Sequence, residues 1–370
     1  MLESNGMNVS FPQPWSDATM GGPIEQGVSF HSMKEIATIG IDLAKNVFQI
    51  HGVDMQGRTV LRKTVTRGKL LETLVNLSPC LVGMEACGGA HHWARKITEM
   101  GHIVRLIAPQ FVAPYRKSGK NDANDAEAIC EAVTRPNMRF VAIKTPEQQA
   151  VLTLHRVRES IKADRTALIN RIRGLLQEFG IVLPQGAARF PQRLLEAITD
   201  ADMPLDAIGI FAALRGDLMR LNERLAECDQ RIARLAREET TQRLVTIPGV
   251  GPVTATAIVA TVGDAKLFRN GRELAAWVGL VPRQSSSGGK TRLGRITKNG
   301  DSYLRTLFVQ GAMAVIHHMG DKEGPRFEWI RALVARRGIQ KAAVALAAKT
   351  VRTAWVLMAR GESYRMAVAV

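Results

Sequence analysis

The sequence predicts a mixed α/β domain followed by two mainly helical regions. Three observations predict it. Short β-rich apolar runs punctuated by turn residues extend from Ile36 to Ala108. Apolar residues recur at alternating spacings of four and three from Leu214 to Leu235. A Pro-Gly-x-Gly turn at Pro248 opens a further apolar helical run. At 370 residues the chain is long enough for two or three domains with a sizeable core.

Residues 1–32 are polar, contain Pro12, Pro14, Gly21, Gly22 and Pro23, and show no periodicity, so a disordered extension is expected, with Met33 as the natural start. Ile36–Asp42, Asn46–Val53 and Arg58–Thr66 are three β-rich runs whose short links, including Asp54-Met55-Gln56-Gly57, allow antiparallel hairpins. Lys69–Leu77 is predicted as a helix, Leu81–Glu85 as a short buried strand, and Ala90–Met100 as a helix ended by Gly101. His102–Ala108 is predicted as a strand stopped by Pro109, and Asn121–Val133 as a helix ended before Pro136. Three meandering strands, then helix–strand–helix–strand–helix, is a ribonuclease-H-like layout: a mixed sheet with flanking helices. This first domain is expected over residues 33–144.

Residues 145–240 change to a helical period. Ile161, Leu168, Ile172, Leu175 and Phe179 make one apolar stripe. After a break at Pro184–Pro191 and Pro204, Leu214, Leu218, Leu221, Leu225, Cys228, Ile232 and Leu235 make a heptad seam. Such seams pack helices within a chain or between subunits. Arg156, Arg158, Lys162, Arg165, Arg171 and Arg173 on the first helix either track phosphates or form a solvated charged face. The last region, 241–370, opens with Ile247-Pro248-Gly249-Val250-Gly251-Pro252. A turn carrying Gly249 and Gly251 ahead of a helix presents backbone N–H groups to a phosphate, as in helix–hairpin–helix motifs, or is an ordinary tight turn. Phe327–Met358 is predicted as two amphipathic helices anchored by Trp329 and Trp355.

The formal charge is +16 and the isoelectric point about 10.2, which points to a polyanionic partner, most simply nucleic acid, although a membrane surface would also satisfy the charge. No uninterrupted apolar run of about 20 residues exists, and Ala342–Met358 is broken by Lys349 and Arg352, so a packed helix and no membrane span are expected. No basic-then-apolar leader opens the sequence. Cys80, Cys87, Cys130 and Cys228 show no CxxC spacing, which argues against a zinc site or a disulfide framework and for a reduced, cytoplasmic protein.

Chemistry concentrates in two stretches. In Lys120–Glu127, Asp122 and Asp125 are three residues apart and share a helix face. Asp42 and Glu85 stand at the ends of apolar runs, and strand carboxyl ends are the reactive edge of open α/β sheets. Four acids so placed would gather around a divalent cation; the bland alternative for Asp122 and Asp125 is a solvated, capped helix start. The second stretch holds Arg283, Ser285, Ser286, Ser287, Gly288, Gly289, Lys290, Arg292, Arg295 and Lys298. Cations there hold phosphate oxygens, and an activated serine would be a nucleophile on a phosphodiester; a flexible polar loop is the alternative.

With these residues in view the chain resembles the DEDD insertion-sequence transposases of the one-ten family. Asp42 in GIDLAKN, Glu85 in GMEACGG, and Asp122 with Asp125 in KNDANDAEAI match the acid signature. IPGVGPVTA and GLVPRQSSSGGKTRLGRITKNGDSYLR resemble the family's C-terminal transposase domain, with the PRQ-plus-SSGGK form closest to its eleven-eleven subgroup. The resemblance covers about residues 33–365. It implies a RuvC-like N-terminal domain whose acids bind Mg²⁺ or Mn²⁺, with two ions about 4 Å apart polarising the phosphate. It implies a C-terminal serine, Ser286 in first place and Ser287 in second, that forms a phosphoserine link to DNA. It implies nucleic-acid contacts at Lys120, Arg283, Lys290, Arg292, Arg295, Lys298, Gly249 and Gly251. It further implies guidance by a bridge or seek RNA pairing with donor and target DNA. Dimers would assemble into a tetramer through the central helices, with a composite site in a nucleoid-associated protein.

Two other readings belong to different chemistry. A RuvC-like nuclease or resolvase would use activated water, and its serine stretch would only grip phosphate. A basic nucleic-acid-binding module would carry structural acids and no metal-dependent chemistry. A sugar-kinase-like fold also starts with Gly-Ile-Asp, but no second glycine-rich phosphate loop follows.

Overall fold

The computed structural model describes residues 35–117, 122–288 and 290–365, with the Asp122 side chain also outside the description. The expected extension over 1–32, the start at Met33, and Lys120 lie outside the described residues.

The N-terminal region is a mixed six-stranded sheet. Its strands are β1 (Thr38–Leu43), β2 (Val47–Val53), β3 (Thr59–Thr66), β4 (Leu81–Glu85), β5 (Ile103–Ile107) and β6 (Phe140–Val141), in the order β3-β2-β1-β4-β5-β6. β1–β2, β2–β3 and β5–β6 pair antiparallel; β1–β4 and β4–β5 pair parallel. Ile39, Ile41, Val82 and Met84 are fully buried, as parallel strands covered on both faces require. β3 lies at the edge, and Arg62 and Lys63 help keep that edge polar. α1 (Leu70–Val75) and α2 (Ala90–Glu99) contribute Leu70, Leu74, Trp93 and Ile97 to the core, where Trp93 meets Phe48 edge-on at 5.3 Å. Each such fully buried large side chain contributes roughly 1.5–3 kcal/mol. Pro109 does end β5, but it also occupies the first position of a one-turn helix, α3 (Pro109–Val112), where its missing N–H costs nothing. β6, only two residues long, carries no periodicity from which it would be predicted.

α4 (Asp122–Val133) crosses the sheet, burying Ala126, Ile129, Cys130 and Val133. The close approach is possible because β1 and β4 carry glycine opposite it. A Cβ on Gly40 would lie 2.1 Å from the Ala126 carbonyl oxygen, and one on Gly83 would lie 2.8 Å from Val133 Cβ. Gly40→Ala therefore forces α4 off the strand. The expected loss is about 3 kcal/mol or more of stability by urea denaturation, together with loss of activity; a variant as stable as the parent would contradict this packing.

The central helices are α5 (Pro146–Gln177), α6 (Phe190–Asp200) and α7 (Leu205–Leu235). Thr145 caps α5 in a reciprocal capping box with Gln148. The α7 seam lies against α5 within the chain, with Ile161, Leu225 and Cys228 in one cluster and Leu168, Ile172 and Leu218 in another. The α5 stripe differs from expectation at its end: Leu176 is fully buried, while Leu175 and Phe179 are each 42% exposed. The 3.6-residue period drifts against a fixed step, and the buried face moves one residue along.

The C-terminal region holds α8 (Glu239–Val245), α9 (Pro252–Val262), α10 (Gly271–Trp277), a hairpin of β7 (Pro282–Ser287) and β8 (Lys290–Ile296), then α11 (Ser302–His318), α12 (Pro325–Arg337) and α13 (Ile339–Arg360). By length and hydropathy alone α13 could cross a membrane. In this fold its Ala343, Leu346, Ala347, Val351 and Ala354 are buried in the C-terminal core, which accounts for its apolarity. Trp329 and Trp355 pack on that core, and the Trp355 indole donates to the Ala265 carbonyl at 2.9 Å. The β6 edge faces this region across a cavity of about 590 Å³ bounded by Phe140, Phe268 and Trp277.

α5 is joined to the C-terminal core through His155, which is 1% exposed. Its Nε2 lies 3.0 Å from Thr256 Oγ1 and its Nδ1 2.9 Å from the Tyr303 hydroxyl. Thr256 spends its only proton on the Pro252 carbonyl, so it accepts from Nε2–H, and Nδ1 accepts from Tyr303. The ring is therefore neutral, and burial, followed by the nearby Arg158 charge, pushes its pKa down to about 4. In the unfolded chain His155 takes up its proton near 6.5; in the folded chain it does so only near 4. Its contribution to stability is present above 6.5 and is lost as pH falls toward 4. The expected result is a denaturation midpoint that drops between those values and drops less steeply in His155→Gln. An unchanged slope in that variant would remove His155 as a cause.

Candidate active site

Asp42 and Glu85 are brought level by strand pairing. β1 and β4 run parallel with Gly40 opposite Gly83 and Ile41 opposite Met84, so Asp42 and Glu85 follow as the next pair. Side chains alternate along a strand, which puts Asp42 and Glu85 on the face of Gly40 and Gly83, the face that α4 covers. α4 runs against the strand direction, and its N-terminal turn reaches the acidic ends of the strands. Asp125, one residue before the Ala126 carbonyl that passes over Gly40, is only 7% exposed. The helix N-terminus favours carboxylates there.

A residue not predicted from sequence meets these acids. Arg116 follows a short 3₁₀ turn (Ala113–Tyr115) after α3. Its Nε lies 2.8 Å from Asp125 Oδ1 and its Nη2 3.4 Å from Glu85 Oε2. The Nε–Oδ1 approach is an ion pair and not an aligned hydrogen bond, so that buried carboxylate oxygen keeps its directional bonding capacity. Lys117 and Arg62 pair with Glu127, two residues along α4 from Asp125, and hold its carboxyl below the ordinary range, the Lys117 hydrogen bond being the largest cause. The thiol of Cys87 reaches the surface, yet contact with the surrounding chain raises its pKa, with Glu85 and then Asp42 adding to the shift. That places both carboxylates within electrostatic reach of one sulfur.

Among the described residues, no three His, Cys, Asp or Glu side chains form a closed metal-holding group. What the fold gathers is Glu85 and Asp125 on one guanidinium, with Asp42 beside Glu85 in the register and the Asp122 backbone at the head of the same helix. Hard, negatively charged oxygens of this kind suit Mg²⁺ or Mn²⁺.

The serine stretch is an antiparallel hairpin, not a flexible loop. Ser285 pairs with Arg292, Ser286 with Thr291 and Ser287 with Lys290, and Gly288 takes the left-handed turn conformation at φ +53°. Serines and cations show no apolar alternation because neither face is buried; backbone pairing alone makes these strands. Directly paired residues share a face, so Ser285 and Ser287 stand with Lys290 and Arg292, and Ser286 stands with Gln284, Thr291 and Leu293. Gln284 Nε2 donates to Ser286 Oγ at 2.8 Å. The hairpin base is pinned where Lys298, in a left-handed conformation, donates its N–H to Gly279, and Arg283 donates to the Thr297 carbonyl. Arg295 is exposed on β8. The strands of the hairpin are exposed apart from the half-buried Ile296.

The turn before α9 divides its two glycines. Gly249, at φ +88°, packs on α11, where a Cβ would lie 2.7 Å from the Gly311 carbonyl oxygen. Packing therefore accounts for Gly249. Gly251 has open space around it at the head of α9.

A DEDD transposase family model matches residues 39–181, and a model described as the IS116/IS110/IS902 transposase family matches residues 241–328. The transposase for insertion sequence element IS1111A of Coxiella burnetii is 43% identical over 342 residues, covering 90% of this chain and 93% of the relative. The chain belongs to the IS110/IS116/IS902 transposase family. A Pseudomonas aeruginosa protein described as a family 20 transposase is 47% identical over 334 residues, covering 89% of this transposase and 99% of the relative. The transposase for IS1328 of Yersinia enterocolitica is 42% identical over 330 residues, covering 89% and 98%. The protein is thus an insertion-sequence DNA transposase, with a mixed α/β sheet at its N-terminal end and a mostly helical C-terminal end. Its DEDD model spans the sheet, α4 and α5, and with them the acids gathered above.

Proposed function

We infer that this transposase cuts and rejoins DNA through a covalent phosphoserine intermediate, using Asp42, Glu85, Asp122 and Asp125 as ligands to Mg²⁺ or Mn²⁺. The observation that carries the reading is the convergence of Glu85 and Asp125, from separate parts of the chain, on one guanidinium beside the level Asp42. The strand order β3-β2-β1-β4-β5 supports a ribonuclease-H-like, RuvC-like sheet. A bound divalent cation would neutralise phosphate charge and stabilise the leaving oxygen. The chain's own residues do the rest. The serine, Ser286 or else Ser287, passes its proton to solvent as Oγ bonds to phosphorus, and the sugar oxygen of the cut strand leaves and takes up a proton. Attack by a hydroxyl of the incoming strand returns the serine. Arg283, Lys290, Arg292, Arg295 and Lys298, with Lys120 two positions before Asp122 in the sequence and the open Gly251 turn, hold phosphates.

In this reading an RNA pairs with donor and target DNA, so that base pairing reads the sequence and the protein reads backbone. Because the serine hairpin is exposed, a composite site is expected: acids from one subunit and serine from another, in dimers joined into a tetramer through α5 and α7. The protein would then act in the cytoplasm at the nucleoid.

The test is a labelled donor DNA incubated with full-length protein and Mg²⁺. A protein–DNA adduct that survives denaturation and is absent in EDTA is expected. Cleavage with no adduct would favour the hydrolytic RuvC-like alternative, and full activity in EDTA would remove the metal-bound acids.

A further inference from the structure

We propose that Arg116 is the resident counter-cation of the metal-free acid cluster, and that divalent metal entry displaces it. The proposal rests on the reading that these acids bind metal. Among the described residues, Arg116 spans two of them, at 2.8 Å from Asp125 Oδ1 and 3.4 Å from Glu85 Oε2. The two carboxylate side chains are 10% and 16% exposed, whereas the arginine is 32% exposed. Two carboxylates this enclosed repel one another and are poorly solvated, so a metal-free fold needs a cation between them. A guanidinium meets that need with one positive charge.

A divalent cation meets it with two charges and closer contact, about 2.0–2.1 Å from each oxygen for Mg²⁺. A metal held by Asp125 would compete with Arg116 for that carboxylate. An ion on its Oδ1 would sit beside an arginine Nε only 2.8 Å from the same atom, and the like charges exclude one another. The arginine also has a way out. It follows the 3₁₀ turn at Ala113–Tyr115 on a connection between elements, and a third of its side chain already faces solvent. Its Nε–Oδ1 contact lacks hydrogen-bond alignment, and its Nη2 hydrogen bond to Glu85 Oε2 is long at 3.4 Å, so little directional bonding is lost when it leaves. Metal binding and Arg116 docking are thus competing states of one site, and the arginine sets how much free metal closes it.

The experiment titrates full-length wild-type protein and Arg116→Gln with Mn²⁺, reading free Mn²⁺ by electron paramagnetic resonance. Removing the competitor is expected to lower the half-saturating Mn²⁺ concentration by about tenfold, within the usual range of coupling between sites. It should also lower the melting temperature of the metal-free protein. A purely structural arginine predicts the reverse for metal: equal or weaker binding in Arg116→Gln, and that result overturns the proposal. A second measurement uses wild-type protein alone and is unaffected should the variant not fold. Modification of Arg116 by phenylglyoxal, read by peptide mass spectrometry, is expected to rise severalfold when Mn²⁺ is added. Unchanged or reduced modification in protein that binds Mn²⁺ overturns the displacement and leaves the metal-bound acids standing. Wild-type protein that binds no Mn²⁺ removes both.

Discussion

Asp42→Asn, Glu85→Gln or Asp125→Asn is expected to reduce strand exchange by about 10³-fold or more while DNA binding persists. Each change keeps the volume and a carbonyl acceptor and removes one negative charge. The charge is what a divalent cation requires, and Asp42 and Glu85 lie at adjacent strand ends. Phosphate contacts come from cations elsewhere, which is why binding should survive. Asp125→Asn carries a second effect. It removes the carboxylate 2.8 Å from Arg116, leaving the guanidinium on Glu85 alone, and metal-free stability should fall by ~1–2 kcal/mol given the partial exposure of the arginine. Strand exchange within tenfold of wild type in any of the three would rule that residue out as an essential ligand.

The second large effect concerns the hairpin. Ser286→Ala is expected to abolish the denaturation-resistant DNA adduct, whereas Ser287→Ala should leave it reduced but present. The two serines are neighbours in sequence, yet the register sends them to opposite faces, so one DNA strand cannot meet both in the same way. Ser286 stands with Gln284, whose amide holds its Oγ at 2.8 Å, and Ser287 stands with Lys290 and Arg292. Adducts formed by Ser286→Ala and lost in Ser287→Ala would move the nucleophile to the cationic face.

How much of this was legible beforehand differs by element. The strands up to Leu106 and the helix of Asp122–Val133 were readable because each is an apolar run bounded by turn formers or proline, and burial follows that pattern locally. The strand-end acids were readable for the same reason: a carboxylate abruptly closing a buried run is costly without a purpose. Arg116 was not. Nothing in Pro114-Tyr115-Arg116-Lys117 distinguishes the arginine that turns inward from the lysine beside it, because the choice depends on where α4 and β4 place their carboxylates. The hairpin was missed because its strands bury no face, so no alternation exists to find. A tight turn that meets phosphate and one that packs on a helix both ask for glycine, so the packing of Gly249 on Gly311 is visible only in the structure.

Sequence by itself determined the fold class, the order of elements, the family and the positions of the acids at strand ends, because hydrophobic periodicity and turn chemistry are local properties of the chain. Tertiary structure alone decided that Gly40 and Gly83 let α4 close over those acids, that Arg116 meets Glu85 and Asp125, and that Ser286 and Ser287 face apart. Each of those depends on distances between residues far apart in sequence or paired across strands, and such distances are set by packing and register, which no local pattern encodes.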